Sequence, residues 1–146
     1  MLLTRKNIAP TKSAPEVILD PNGIIKITGR SMNGNLTEFS EQLEDWIDEY
    51  ICNPAELTRL DIYLDYFDEI NLVIYISLLK KIESIKLKNK KYIINWYYEE
   101  GDEDILEKGE NISSVLDMPF NFIMISDPLV HECDPLKWRH PKRMGI

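Results

Sequence analysis

Two cysteines, Cys52 and Cys133, are all the thiols this 146-residue chain has, and they stand far apart with no CxxC spacing. That excludes the disulfide framework of a small secreted domain. Apolar runs are short as well. Met1 to Leu3 is the only one in the first fifteen residues, too brief for a signal peptide. The longest, around Leu72 to Leu79, is broken by Ser77 and followed by lysines, so no membrane span is expected. Basic charge is scarce: 17 Lys and Arg face 25 Asp and Glu, for a formal charge of -8. Nucleic acid and anionic membranes reward a basic surface, so neither is expected as the main partner. No P-loop, GxGxxG, GxSxG or HExxH motif occurs, and no cofactor is expected. The expected compartment is the cytoplasm.

What the chain does have is enough apolar material for a core. Its residues are 44% hydrophobic, and its length is that of one ordinary domain. Residues 1–14, with polar residues and a proline, read as an N-terminal lead-in. Residues 15–126 carry the periodic patterns of a domain, and 127–146 form a C-terminal tail.

Val17 to Leu19 and Ile24 to Thr28 flank Asp20-Pro21-Asn22-Gly23, two β-rich runs around a turn in which Gly23 supplies positive φ. Leu36, Phe39, Leu43, Trp46, Ile47 and Tyr50 recur at helical spacing, with acids on the opposite face. Asn35 or Thr37 is the expected cap, and Asn53-Pro54 the stop. Leu60, Ile62, Leu64 and Tyr66 alternate with Arg59, Asp61, Tyr63 and Asp65, the pattern of a strand with one buried face. A second helix is expected from about Asn71 to Lys86, a strand over Tyr92 to Tyr98, a short helix over Asp102 to Lys108, and a last strand over Phe120 to Ile125. The order is ββαβαβαβ, an α/β domain with a mixed sheet. Asp61 and Asp65 on one strand face argue that the helices lie mainly on the other.

Several clusters invite a chemical reading. Asp61, Asp65, Asp68 and Glu69 have the residue types of a divalent-metal hydrolase. They equally suit a solvent-facing strand and a helix N-terminus, where negative charge is favoured. No His, Lys or Gly-rich loop completes a mechanism. His131, Cys133, Asp134 and His140 are possible ligands in no familiar zinc spacing, and the bland reading is a solvated tail. Lys137, Arg139, His140, Lys142 and Arg143 make the tail end basic, able to pin the acidic body of its own chain or a neighbour. Glu99, Glu100, Asp102, Glu103 and Asp104 lack an EF-hand pattern and fit a helix start. On the second helix, Tyr75, Leu78, Leu79, Ile82 and Ile85 suffice for a core stripe. Ile70, Val73 and Ile76 are left over, for burial or for a partner.

Ile18-Leu19-Asp20 with Gly23, Ile27-Thr28-Gly29-Arg30-Ser31, and Phe39 with Leu43 through Trp46 and Tyr50 resemble one known family. So do Asn95-Trp96-Tyr97-Tyr98-Glu99-Glu100, Asp102-Glu103-Asp104 and Leu116-Asp117-Met118-Pro119-Phe120. It is the SiaC-type family of regulatory phosphoproteins, matched over roughly residues 15–126 in order. The resemblance implies a STAS-like fold, as in anti-sigma-factor antagonists, and a partner-switching role. It implies a kinase that phosphorylates a Thr or Ser at the turn into the second helix and a metal-dependent Ser/Thr phosphatase that reverses this. The implied effector is a diguanylate cyclase, linking the switch to cyclic-di-GMP and biofilm formation.

At that turn the sequence departs from the family. Tyr66-Phe67 is followed by Asp68-Glu69-Ile70-Asn71, with no hydroxyl before Asn71, and Glu69 stands about where the acceptor would be. Ser77 lies about two turns into the helix. The expectation is a non-enzymatic regulatory binder using Asp68, Glu69, Ile70, Asn71, Val73 and Ile76. It is either locked in one state or a divergent member that has lost its switch. The alternatives are the metal-dependent hydrolase and a structural subunit of a homo-oligomer.

Overall fold

Gly23 closes the hairpin around Asp20-Pro21-Asn22 as its residues predict. Its N–H donates to the Asp20 carbonyl at 2.9 Å, the Asn22 N–H to Asp20 Oδ1 at 2.9 Å, and Gly23 takes a φ of 104°. The computed structural model describes residues 2–32, 34 and 36–126. In it this hairpin is one part of a six-stranded mixed sheet.

The strands are β1 (Lys6–Ile8), β2 (Glu16–Asp20), β3 (Ile24–Ser31), β4 (Leu57–Phe67), β5 (Lys91–Glu99) and β6 (Asn121–Ile125). They lie side by side in sequence order. β1, β2 and β3 pair antiparallel; β3 to β6 pair parallel. Three helices make the crossovers: α1 (Thr37–Tyr50), α2 (Leu72–Glu83) and α3 (Glu103–Leu116). Short 3-10 segments, Glu69–Asn71 and Ser84–Lys88, precede and follow α2. Parallel crossovers are right-handed, and each step here moves to the next strand in the same direction. All three helices therefore fall on one face, as expected.

That face holds the main core. Val17, Leu19, Ile25, Ile27, Leu60 and Ile62 from the strands are fully buried against Leu43, Ile47, Leu79 and Ile82 from the helices. The predicted stripes on α1 and α2 are the ones buried. Lys81 ties the two helices together, pairing with Glu44 and, at 2.7 Å, with Asp48.

Four expectations need correction. The lead-in contains β1, too short and too polar to show periodicity, so the order is βββαβαβαβ. α1 begins at Thr37, with Leu36 at the cap position and no side-chain cap bond. α3 runs on to Leu116, well past Lys108. The helix continues through Gly109, a poor helix former, whose missing side chain lets α3 lie on the Trp96 ring, where a Cβ would sit 2.5 Å from the indole. α3 ends at Asp117, which has a φ of 54°, with the Met118 N–H donating to the Ser113 carbonyl at 3.0 Å. Its start is as predicted: Asp102 Oδ1 accepts from the Ile105 N–H at 3.1 Å, and Glu103 and Asp104 occupy the first turn.

Asp61 is the fourth. It lies on the face away from the helices but is buried, not solvated. Arg59 approaches it at 3.2 Å, and Asn95 Nδ2 donates to it at 2.8 Å. Asn121 Nδ2 in turn donates to Asn95 Oδ1 at 3.0 Å. Asp61, Asn95 and Asn121 are register partners on β4, β5 and β6. A one-dimensional pattern cannot reveal this polar ladder, because it needs three strands in register.

Candidate functional site

β4 delivers the chain to the turn on which the sequence analysis converged. The Asp68 N–H donates to the Ser31 carbonyl at 2.8 Å, which fixes the turn to the end of β3. Asp68 Oδ1 accepts from the Ile70 N–H at 3.1 Å, and its carbonyl accepts from the Asn71 N–H at 2.9 Å. Asp68 is thus the N-cap of the 3-10 turn. Asn71 is turned inward. Its Nδ2 donates to Ser31 Oγ at 3.2 Å and to the Met32 carbonyl at 2.9 Å, and it is a positioning residue, not a contact surface.

The others point outward. Glu69 is exposed, Ile70 is 65% exposed and Val73 is 76% exposed. Ile76 is half-buried and packs on the core edge. Most isolated surface apolar residues need no explanation. Here they adjoin a cleft of ≈ 90 Å³ between α2 and α3, lined by Phe67, Glu69, Leu72, Ile76, Lys108 and Val115 among others. Val115 on the far wall is 77% exposed. A shallow apolar depression continues along α2 past Val73, Ile76 and Ser77 to Lys80.

Lys108 and Ser31 are the residues that sequence reasoning missed. The Lys108 ammonium donates to the Phe67 carbonyl at 2.6 Å, pairs with Asp104 at 3.1 Å, and sits 5.7 Å from the Phe67 ring centroid. It closes one end of the cleft and braces the residue before the turn. Phe67 is itself held edge-on by Tyr75, with ring centroids 5.1 Å apart. Lys108 lies far along the chain from the turn and Ser31 is on another strand, so no local pattern linked them to it. The Gly29-Arg30-Ser31 element gave the only hint.

The four carboxylates of the hydrolase alternative do not come together. Asp61 is engaged by Arg59 and Asn95, Asp65 pairs with Arg30 at 3.5 Å, and Asp68 caps the turn. Among the described residues no group of three or more His, Cys, Asp or Glu side chains is placed to hold a metal ion. His131, Cys133, Asp134, His140 and the basic run from Lys137 to Arg143 lie outside the described residues. No helix of the described residues is long and apolar enough to cross a membrane.

The model of the "SiaC family regulatory phosphoprotein" matches residues 8–125. An uncharacterised protein of Pseudomonas aeruginosa is 23% identical over 115 residues, covering 78% of this chain and 91% of that protein. A chain in the crystal structure of the diguanylate cyclase SiaD with its activator SiaC, from Pseudomonas aeruginosa, superposes with a TM-score of 0.71 at 22% identity. It covers 82% of this chain and 97% of that one. The crystal structure of apo-SiaC from the same organism gives a TM-score of 0.69 at 21% identity, covering 83% and 98%. At such identities the structural likeness speaks for the fold, while the family model spans most of the chain. The chain belongs to the SiaC family.

Proposed function

We propose that this chain is a non-enzymatic regulatory protein that docks a protein effector on the β4–α2 turn and the outer side of α2. The effector class is a diguanylate cyclase, by analogy with the complex that SiaC forms with SiaD. The observation that carries the reading is the pair Ile70 and Val73, exposed beside an apolar cleft at the turn. A docking surface of this kind supplies apolar area to a partner helix without any change in the backbone.

The second element of the proposal concerns the switch. Residues 68–71 offer no hydroxyl, and the two serines nearest the turn are poor kinase substrates. Ser31 is fully buried, and Ser77 is half-buried within α2. Glu69 is exposed at the position where the resemblance puts the acceptor. A carboxylate has one charge where phosphate has nearly two, and fewer acceptor oxygens. The chain therefore works as a binder that its kinase cannot switch at this turn.

The test is a titration of the full chain and its Val73→Glu variant against a diguanylate cyclase of the same organism, followed by incubation with the cognate kinase and intact-mass measurement. The expected results are binding by the wild type, weakened at least several-fold in the variant, and no added phosphate. Equal binding by both proteins would refute the surface. Stoichiometric phosphate on Ser31 or Ser77 would refute the unswitched state.

A further inference from the structure

Lysine is concentrated at one place in this acidic chain. Residues 80–91 hold six of the 17 Lys and Arg against a single acid, Glu83. Lys80 and Lys81 sit in the last turn of α2, Lys86 and Lys88 in the 3-10 segment after it, and Lys90 and Lys91 at the entry to β5. Because β3 to β6 run parallel, all six gather at the end of the sheet where β4 and β5 begin. The acids from Asp65 to Glu69 and from Glu99 to Asp104 gather at the opposite end, with the turn that presents Ile70. The 12 residues of α2 put about 18 Å between the two ends. That is more than twice the roughly 8 Å Debye length at physiological salt, so the formal charge of -8 does not describe the lysine end. Lys81 neutralises Glu44 and Asp48, the α1 acids that face α2, and Lys90 pairs with Glu56 at 2.6 Å. Lys80, Lys86, Lys88 and Lys91 are exposed and form no ion pair among the described residues.

An apolar tip stands in the middle of this charge. Ile85 is fully buried and pins the 3-10 segment to the core. Leu87, two residues on, is turned out and 89% exposed between Lys86 and Lys88. The turn is closed behind it. Asn89 takes a φ of 62°, its N–H donates to the Lys86 carbonyl at 3.0 Å, and the Lys90 N–H donates to the Ile85 carbonyl at 3.2 Å. Leu57, 45% exposed, is the register partner of Lys91 at the same end. We infer that this end is a peripheral docking surface for an anionic lipid bilayer, with Leu87 entering the acyl boundary and the lysines reaching the headgroups. Two observations favour lipid over an acidic protein segment. All the cations of residues 80–91 are lysines, point charges suited to a diffuse field of phosphates, and none is an arginine, whose fork fixes a carboxylate in one geometry. Leu87 projects, and a bilayer accepts a projecting leucine without a pocket shaped for it, while the lysine stems beside it bury and their heads stay wet. The proposed effector surface lies at the far end of α2 and stays open when the lysine end is on a membrane.

Co-sedimentation of the full chain with vesicles of phosphatidylcholine, alone or with one third phosphatidylglycerol, tests the inference. The wild type should pellet with the anionic vesicles at low salt, release as salt is raised, and stay in solution with phosphatidylcholine alone. Each lysine at an anionic surface changes partitioning roughly five-fold. Lys86→Glu with Lys88→Glu should therefore weaken it at least about ten-fold, and Leu87→Ser several-fold. These changes fall on exposed side chains and should leave the thermal midpoint near that of the wild type. If the first pair misfolds, Lys80→Glu with Lys91→Glu, on α2 and β5, makes the same test. Val73→Glu, at the docking end, should pellet like the wild type, which keeps this result apart from effector binding. Failure to pellet with anionic vesicles overturns the inference, and retention on immobilised polyglutamate would then assign the patch to an acidic polypeptide. Binding that is unchanged in the folded lysine variants also overturns it, because the attachment then lies elsewhere in the chain.

Discussion

Asn71 and Ser31, forty residues apart in sequence, meet through a 3.2 Å hydrogen bond from Asn71 Nδ2 to Ser31 Oγ, both groups buried. The same amide also donates to the Met32 carbonyl. The turn that presents Glu69, Ile70 and Val73 is thereby anchored to the end of β3. The shape of the proposed docking surface therefore rests on two buried residues, Ser31 and Asn71.

Asn71→Ala breaks both bonds and leaves buried acceptors unsatisfied, at a cost of about 1–3 kcal/mol. Urea unfolding of the variant should show this as a lower midpoint with an unchanged slope. Ser31→Ala combined with Asn71→Ala should cost less than the two single changes added, because they share one interaction.

On α2 a single helix offers a contrast between two faces. Val73→Ala, at 76% exposure, should shift stability by no more than about 0.5 kcal/mol. Ile82→Ala, fully buried, should cost about 2–5 kcal/mol. Loss of effector binding with Val73→Ala at undiminished stability would separate docking from folding. Equal destabilisation by the two changes would contradict the orientation of α2.

Gly109→Ala puts a methyl into the Trp96 ring. Overpacking of this kind costs about 1–3 kcal/mol. It should also push α3 away from the sheet and disturb the Lys108 contact with Phe67. The accompanying sign is an altered Trp96 environment in near-UV circular dichroism.

Alkaline stability carries its own signature. Burial pushes the phenols of Tyr63, Tyr75 and Tyr97 above their ordinary value, and the Glu99 carboxylate adds to this at Tyr63. A group whose value is raised on folding contributes its full share below the unfolded value, about 10 for tyrosine. Above that pH the unfolded chain loses its protons first, and stability falls as pH climbs toward the folded values. These three tyrosines should therefore ionise together with unfolding, visible as a cooperative step in a spectrophotometric titration. A gradual titration with the fold intact would contradict their burial.

The parts legible in sequence were those governed by local period. The α1 and α2 stripes, the Gly23 turn and the alternation of β4 each express one buried face along one segment. Asp61 and Asp65 correctly indicated one face without helices. The same alternation misplaced Asp61 in water, because its partners Asn95 and Asn121 come from two later strands. α3, expected to end at Lys108, runs on to Leu116, because Gly109 packs on Trp96 of β5, a contact that no local pattern encodes. Of the candidate site, Asp68, Glu69, Ile70 and Val73 were readable as the turn and its flank. Asn71 was misread as surface, and Ser31 and Lys108 went unseen. Each of these three acts through a contact across some forty residues, which composition and period do not encode.

The sheet holds its strands in the order in which the chain presents them. Each new strand therefore finds its partner already formed, beside the strand before it, and no later segment has to be inserted between earlier ones. Synthesis from the N-terminus can add one hairpin and then one strand–helix unit at a time, with a single growing edge. That edge passes finally to β6. A growing edge is also where unpaired backbone gathers, so stalled translation after β4 or β5 should leave the chain most prone to pairing with a neighbour.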